Sequence, residues 1–357
     1  MKKCISVILS LTAAIMLLSG CQEERMPYSP DKQTELNAKM LSSSYSTSAI
    51  VWHGWSLQGF NKEVAETEQY FFYIENDRIM RLDKRTKEEQ IIVPLSSNSS
   101  YSPCIDINDS RLYYINYITD YPVLCSVDFD GNDKKEVASM EEGSWLYNLG
   151  QNDMDGGEFY NIGIKSFRFY RSKLYIMGYV NTIYYCDPEI QIANYILCVS
   201  RDCCFLDDYL YCSYHEADKI DRIEIAVEGE CNYITVRKKL STSNRGPYIK
   251  LVPVNNELYF YYSETGLYKY NEDGFDELIV SNPETTTTNY DKAFGEKDLY
   301  YEHDKKVYRY DDSTKQSVEL ETPKGFRESV GIKDDNFYYI DKNSVYQFVP
   351  VSDLTEK

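Results

Sequence analysis

Histidine is scarce in this chain of 357 residues, which contains only three: His53, His215 and His303. None of them lies at the spacing of a metal-ligand pair, and a serine or cysteine nucleophile needs a histidine partner. The sequence also has no Gly-rich phosphate loop and no Gly-x-Ser-x-Gly elbow. These absences favour a protein that binds over one that catalyses a reaction.

Basic residues are outnumbered. The chain has 38 Lys and Arg against 57 Asp and Glu, which gives a formal net charge of −19. Such a chain is repelled by phosphate backbones and by anionic lipid headgroups. The sequence therefore predicts no nucleic-acid partner, and cationic partners or neutral ones such as glycans fit the charge better.

Paired Cys-x-x-Cys ligands are absent, although the chain has 10 cysteines. Apart from Cys4 and Cys21, their spacing follows no disulfide framework and no zinc site. Several lie inside apolar strand patterns, where a cysteine behaves as a small hydrophobic residue. We expect buried thiols, with one or two disulfides as the alternative.

No apolar run in the sequence is long enough to span a membrane, which takes about 20 residues. The uncharged stretch from Ile5 to Leu18 is shorter and follows Lys2 and Lys3. A short basic region, an apolar region and then small residues are the layout of a secretory signal. We therefore expect residues 1–20 to be a signal peptide.

The end of this signal, Leu18-Ser19-Gly20-Cys21, resembles the bacterial lipobox, whose cysteine receives a diacylglyceryl group. The resemblance implies that Cys21 is lipidated and anchors the protein to the cell membrane on its extracytoplasmic side. Residues 21–47 are rich in polar residues without a sustained apolar period, which predicts a flexible tether. An ordinary secretory signal is the alternative.

Tyrosine is abundant, with 35 residues, and it marks an internal repeat. A strand with an apolar or aromatic pair or triplet recurs seven times at an average spacing of about 44 residues, the length of one propeller blade. These strands are Phe71–Tyr73, Leu112–Tyr114, Leu174–Ile176, Leu210–Cys212, Leu258–Phe260, Leu299–Tyr301 and Phe337–Tyr339.

A partner strand follows each aromatic strand. Its first and fourth positions are apolar, its third is usually polar and its fifth is usually an acid or Asn. The partners are Ile79–Asp83, Leu124–Asp128, Ile183–Asp187, Ile220–Glu224, Leu267–Asn271, Val307–Asp311 and Val345–Val349. Pairs such as Asn255-Asn256 and Asp334-Asp335 before the aromatic strands tolerate the positive φ of tight hairpins.

The repeat predicts an all-β fold over residues 48–357. We expect a β-propeller of four-stranded antiparallel blades, seven in number, with six as the alternative. Consecutive apolar residues fit inner strands that are covered on both faces by neighbouring blades. The last repeat ends after its third strand, so we predict that Ala49–Trp52 pairs with Val345–Val349 as an N-terminal closing strand.

The strand at Leu112–Asn116 and the turn at 127–132 resemble the bacterial β-propeller domains related to those of the low-density-lipoprotein receptor, also catalogued as a domain of unknown function. The resemblance covers residues 49–357. Receptor propellers have six blades and a Tyr-Trp-Thr-Asp signature, which Leu112–Asn116 keeps only in part. The resemblance implies a fold, and no ligand is carried over with it.

Two sets of residues are candidates for binding. Asp153, Asp155 and Glu158 lie in an acidic, glycine-containing insertion that suits calcium, although it lacks the other ligand positions of an EF-hand and a plain acidic loop is the favoured interpretation. The tryptophans lie outside the repeat and are better ligand candidates than repeated tyrosines, which pack blades. They are Trp52, Trp55 and Trp145.

Two functions are compatible with these patterns. The first is a non-catalytic recognition or assembly module, expected to be monomeric, which binds a protein, peptide or glycan outside the membrane. The alternative is a surface hydrolase or lyase acting on a polysaccharide or peptide, with two carboxylates at the propeller mouth as acid and base. The sequence indicates no catalytic residue, and calcium is the one cofactor that it suggests.

Overall fold

The computed structural model describes residues 31–45, 63–96, 104–117, 121–147, 164–178, 183–197, 200–214, 219–224, 233–238, 249–262, 265–273, 276–281 and 292–357. Within these ranges the strands form seven antiparallel sheets, each built from strands that follow one another in the chain. The sheets are the blades of a seven-bladed β-propeller. The predicted fold class and the blade number are confirmed.

The first four blades have four strands each. Blade 1 contains β1 (Val64–Glu66), β2 (Tyr70–Ile74), β3 (Arg78–Asp83) and β4 (Glu89–Pro94). Blade 2 contains β5 (Ile105–Asn108), β6 (Arg111–Tyr117), β7 (Pro122–Val127) and β8 (Lys135–Ser139). Blade 3 contains β9 (Ser166–Tyr170), β10 (Lys173–Met177), β11 (Ile183–Asp187) and β12 (Ile192–Leu197). Blade 4 contains β13 (Ser200–Leu206), β14 (Tyr209–Tyr214), β15 (Lys219–Glu224) and β16 (Tyr233–Lys238).

Blades 5 and 6 follow the same plan. Blade 5 contains β17 (Ile249–Val254), β18 (Glu257–Tyr262), β19 (Gly266–Lys269) and β20 (Glu277–Ser281). Blade 6 contains β21 (Lys292–Phe294), β22 (Leu299–His303), β23 (Lys306–Asp311) and β24 (Gln316–Leu320). Blade 7 has three strands in the described residues: β25 (Phe326–Lys333), β26 (Asn336–Asp341) and β27 (Tyr346–Pro350).

Each aromatic strand predicted from the repeat is the second strand of its blade, and each partner strand is the third. The two faces of a second strand are buried against different neighbours. In blade 1, Phe72 packs against blade 2 residues such as Ile105, whereas Phe71 packs with Leu36 on the opposite side. The core is therefore divided among the seams between blades, which is why these strands are apolar at consecutive positions.

The recurring acid at the end of the third strand closes a turn. The Oδ1 atom of Asp128 accepts hydrogen bonds from the backbone N–H groups of Asp130 and Asn132, at 3.0 and 2.7 Å. Asp83 and Asp311 make equivalent bonds to the residues two and three positions later. Backbone hydrogen bonds of this kind lower the pKa of Asp83. These carboxylates are accounted for by turn geometry.

One element was not anticipated. Helix α1 spans Lys32–Tyr45, inside the segment for which the sequence predicts a tether. Its apolar residues Leu36, Ala38 and Leu41 are buried, but they are too few to give a strong amphipathic period. The closing strand predicted at Ala49–Trp52 lies outside the described residues.

The C-terminus joins blade 6. Leu320 of β24 forms a β-bridge with Glu356, and the backbone N–H of Glu321 donates to the carbonyl of Thr355 at 2.8 Å. Leu354 is buried in the core between blades 6 and 7. The end of the chain therefore extends the outer edge of blade 6, next to the three-stranded blade.

Candidate functional site

Helix α1 fills the seam between blades 7 and 1, hereafter the closing seam. Leu36 is fully buried among blade 1 side chains, including Val64 and Phe71. Ala38 and Leu41 face the other way and pack on blade 7 with Val330, Tyr338 and Tyr346. One helix thus supplies the apolar surface that joins the first blade to the last.

Polar contacts fix the helix in the closing seam. The side-chain amide of Asn37 donates to the Tyr338 hydroxyl at 2.8 Å in a buried position. Lys32 Nζ lies 2.8 Å from Glu75 Oε1 and 4.7 Å from the centroid of the Tyr73 ring. Burial, together with a hydrogen bond donated to Glu89, raises the pKa of Tyr73 and keeps the phenol neutral.

An ion pair that involves a buried lysine crosses the same seam. Lys333 Nζ of β25 lies 2.7 Å from Glu66 Oε1 of β1 and 2.8 Å from Asp334 Oδ2. Burial opposes the charge on Lys333, but hydrogen bonds to Asp334 and Glu66 outweigh it and raise its pKa. The closing seam is therefore joined by both apolar and charged contacts.

The outer part of the closing seam exposes apolar side chains. Ile91 of β4 is 47% exposed, and its register partner Met80 packs with α1. Phe348 of β27 is 46% exposed and stacks on Tyr338, which also packs with α1. Both exposed side chains thus lie on the two sheet faces that border this seam.

Carboxylates tie other blades together in pairs. Asp106 of blade 2 accepts a hydrogen bond from the backbone N–H of Phe169 in blade 3, at 2.8 Å. Asp202 of blade 4 and Glu302 of blade 6 accept equivalent bonds from Leu251 of blade 5 and Ser329 of blade 7, both at 2.8 Å. These acids satisfy backbone donors at the seams, of which the Leu251 N–H is buried and the other two are partly buried.

A second set of contacts links outer strands. The third position of the third strand is basic in several blades, and its side chain reaches the turn of the next blade. The pairs are Arg81 with Asp130 at 2.6 Å, Arg222 with Glu272 at 2.7 Å, and Lys269 with Asp312 at 2.9 Å. Burial opposes the charge on Lys269, but hydrogen bonds to Glu257 and Asp312 raise its pKa.

Most predicted binding residues lie outside the described residues: Cys21, Trp52, Trp55, Asp153, Asp155 and Glu158. Trp145 is described, and it is part of the packing rather than a free platform. Its ring packs against the core between blades 2 and 3, and its Nε1–H donates to the Val137 carbonyl at 3.2 Å. Among the residues with an assigned structure, no group of three or more His, Cys, Asp or Glu side chains is arranged to hold a metal ion.

The described cysteines are reduced and buried, in agreement with the prediction of buried thiols for these positions. They are Cys104, Cys125, Cys186, Cys203, Cys204 and Cys212. Burial raises the pKa of Cys125 and of the other thiols for which a shift is resolved. In the same part of the chain, no helix is long and apolar enough to cross a membrane.

Sequence reasoning missed the inter-blade contacts, although one signal was present. The polar third position of the third strand was noted as part of the repeat, and in Arg81, Arg222, Lys269 and Arg309 it is basic. For Arg81, Arg222 and Lys269 the partner is an acid in a turn of the next blade, whereas Arg309 pairs with Glu356 beside the C-terminus. A single sequence does not align these acids with the basic residues. The sequence signal for helix α1 is weaker, because its few buried apolar residues lie in a short and mostly polar segment.

The seven sheets define the chain as a β-propeller. No family model and no curated protein matches the sequence. Among solved structures, BamB from Moraxella catarrhalis is similar, with a TM-score of 0.49 and 13% identity over 86% of this chain and 89% of that one. PorZ, a bacterial surface component of the type-IX secretion system of Porphyromonas gingivalis, has a TM-score of 0.46 and 12% identity over 84% of this chain. The match spans 38% of the length of PorZ.

Proposed function

We propose that this chain is a membrane-anchored extracytoplasmic lipoprotein whose propeller is a non-catalytic recognition or assembly module for a protein, peptide or glycan. The resemblance of Leu18-Ser19-Gly20-Cys21 to a lipobox supports the anchor. A net charge of −19 leaves no electrostatic attraction to an anionic bilayer, so the lipid on Cys21 holds the protein there.

The use of three inter-blade carboxylates, two of them buried, is the observation that carries the non-catalytic assignment. Asp106, Asp202 and Glu302 each bind a backbone N–H of the following blade. A general acid or base must be available to a substrate proton. These three groups are instead part of the frame, so they do not supply the acid and base pair of a hydrolase.

The negative charge of the chain indicates which kinds of partner it can attract. A strongly acidic domain attracts cationic protein segments and speeds their association, and it does not repel neutral glycans. The proposed partner is therefore a basic protein or peptide segment, or a neutral glycan.

The anchor is tested by cell fractionation of two cysteine variants. Cys21→Ala, expressed with an ordinary secretory signal in place of residues 1–20, is expected to move the folded protein from the membrane fraction to the soluble fraction, because that signal is removed without lipidation. Cys4→Ala is the matched control, since it changes another cysteine of the same signal, and it should stay in the membrane fraction. A Cys21→Ala protein that remains membrane-bound contradicts the proposal.

Recognition is tested by chemical cross-linking of intact cells, followed by purification and mass spectrometry, and by glycan arrays with the soluble Cys21→Ala protein. A reproducible protein partner or a bound glycan supports the proposal. Blank arrays together with no reproducible cross-link contradict it. Hydrolysis of a polysaccharide or peptide by the purified chain would establish the alternative function instead.

A further inference from the structure

Helix α1 determines where the N-terminal segment leaves the propeller. Its first residues contact the turns on either side of the third strand of blade 1. Lys32 pairs with Glu75 in the β2–β3 turn, and Gln33 accepts a hydrogen bond from Lys87 in the β3–β4 turn. The helix therefore begins beside the outer strands of blade 1, at the rim of the closing seam.

The rest of the helix fixes that starting point. Leu36 and Ala38 are fully buried, and Leu41 is 6% exposed. The hydrogen bond from Asn37 to Tyr338 adds a directional contact to blade 7. Since these contacts involve both neighbouring blades, Lys32 has a fixed position on the propeller.

Only residues 22–31 separate Cys21 from the helix. A segment of ten residues has a maximum length of about 35 Å and a root-mean-square length of about 17 Å if it is flexible. Without a docked helix the connection would run to β1 at Val64, with a root-mean-square length of about 36 Å. Docking of α1 roughly halves the mean distance between the lipid and the rigid body.

We propose that docking of α1 orients the propeller at the membrane. The rim of blades 1 and 7 faces the lipid headgroups, and the rim of blades 4 and 5 points away and is the side open to a partner. The cause is steric, because a rigid body held by a short connection at one rim cannot enter the bilayer and extends away from it. This inference rests on lipidation at Cys21, which belongs to the proposed function.

The orientation is measured by energy transfer from the full-length lipidated protein to a headgroup-labelled acceptor lipid in phosphatidylcholine vesicles. A fluorescent amino acid is placed at Asn76 in one sample and at Thr265 in another. Both residues are exposed and lie in the turn between the second and third strands, in blades 1 and 5 respectively. Transfer is expected to be higher from Asn76, and equal transfer or higher transfer from Thr265 overturns the inference.

Two variants test whether the docked helix causes the difference in energy transfer between the two donor positions. Leu36→Asp should detach α1 and reduce the difference between the two donors, whereas Lys39→Gln, on the less buried side of the same helix, should preserve it. If Leu36→Asp fails to fold, an insertion of about 30 Gly and Ser residues between Pro30 and Asp31 lengthens the connection and leaves α1 docked. It should also reduce the difference, and an unchanged difference overturns the inference.

Failure of the anchor gives a different result from failure of the orientation. If the wild-type chain does not bind the vesicles, the lipoprotein proposal is wrong and the orientation is wrong with it. If the wild-type chain binds and Cys21→Ala does not, the anchor stands, and equal transfer from both donors then rejects the orientation alone.

Discussion

The closing seam and the six other seams bury apolar surface in different ways. Between blades 1 and 2, or 4 and 5, strands of two sheets pack directly on each other. Between blades 7 and 1, helix α1 lies in the core, with one cluster on each side of it. Sheet-to-sheet seams therefore follow from the repeat, whereas the closing seam depends on a segment outside the repeat.

The largest loss of unfolding free energy is expected from a substitution in a sheet-to-sheet seam. Phe337 is fully buried between blades 6 and 7, and Phe337→Ala should cost about 3–5 kcal/mol of unfolding free energy through lost burial and a cavity. Urea denaturation measures the change. Phe348→Ala, in the same blade but 46% exposed, is the control and should cost less than about 1 kcal/mol. Equal losses would show that seam packing is not what stabilises the ring.

The predicted closing strand is the next test. Replacing residues 48–54 by Gly and Ser keeps the connection from α1 to β1 at its natural length. If the segment pairs with β27, the loss should be about 3 kcal/mol, the contribution of one or two buried apolar side chains. The same replacement at residues 22–28 is the control. Unchanged thermal stability would mean that α1 alone closes the ring.

Removing the helix contact should have a smaller effect. Leu36→Ala is expected to cost about 2 kcal/mol, at the low end for a buried leucine, because α1 can separate from the ring before the sheets unfold. Hydrogen exchange should show faster exchange in α1 with little change in β5–β8. Uniform acceleration in both regions would contradict this comparison and make the closing seam equivalent to the others.

The smallest loss of unfolding free energy is expected when one inter-blade hydrogen bond is removed. Asp202 is fully buried and accepts the Leu251 N–H, so Asp202→Ala should cost about 1.5 kcal/mol by leaving that donor unsatisfied. Asp202→Asn retains an acceptor oxygen and should recover part of the loss in urea denaturation. If both variants are equally destabilised, charge rather than the hydrogen bond is the important factor.

Much of the fold was predictable because the chain repeats the same physical requirement seven times. The strands around Phe71, Leu112 and Phe337 are apolar on both faces, since each lies between two blades, and that pattern is visible without a structure. Turn residues such as Asn255 and Asn256 also followed from their conformation, with φ of 49° and 57°. Local rules were sufficient for these elements.

The closing seam and the carboxylate contacts were not predictable in the same way. Leu36 and Leu41 lie in a polar segment that is not part of the repeat. Their burial depends on the space between blades 7 and 1. Asp202 looks like any other acid in the sequence, and its partner Leu251 is 49 residues away. Contacts between unique residues that are distant in sequence leave no periodic signal in a single chain.

Helix α1 also has a mechanical consequence. It is the first described element of the ring, so tension applied through the N-terminal segment acts on its side-chain contacts before it acts on any sheet. Peeling α1 away and straightening its 14 residues would lengthen the chain by roughly 28 Å, because the rise changes from about 1.5 Å to about 3.5 Å per residue while the blades stay closed. The helix would then detach and extend under tension before any blade unfolds, and the propeller would stay intact.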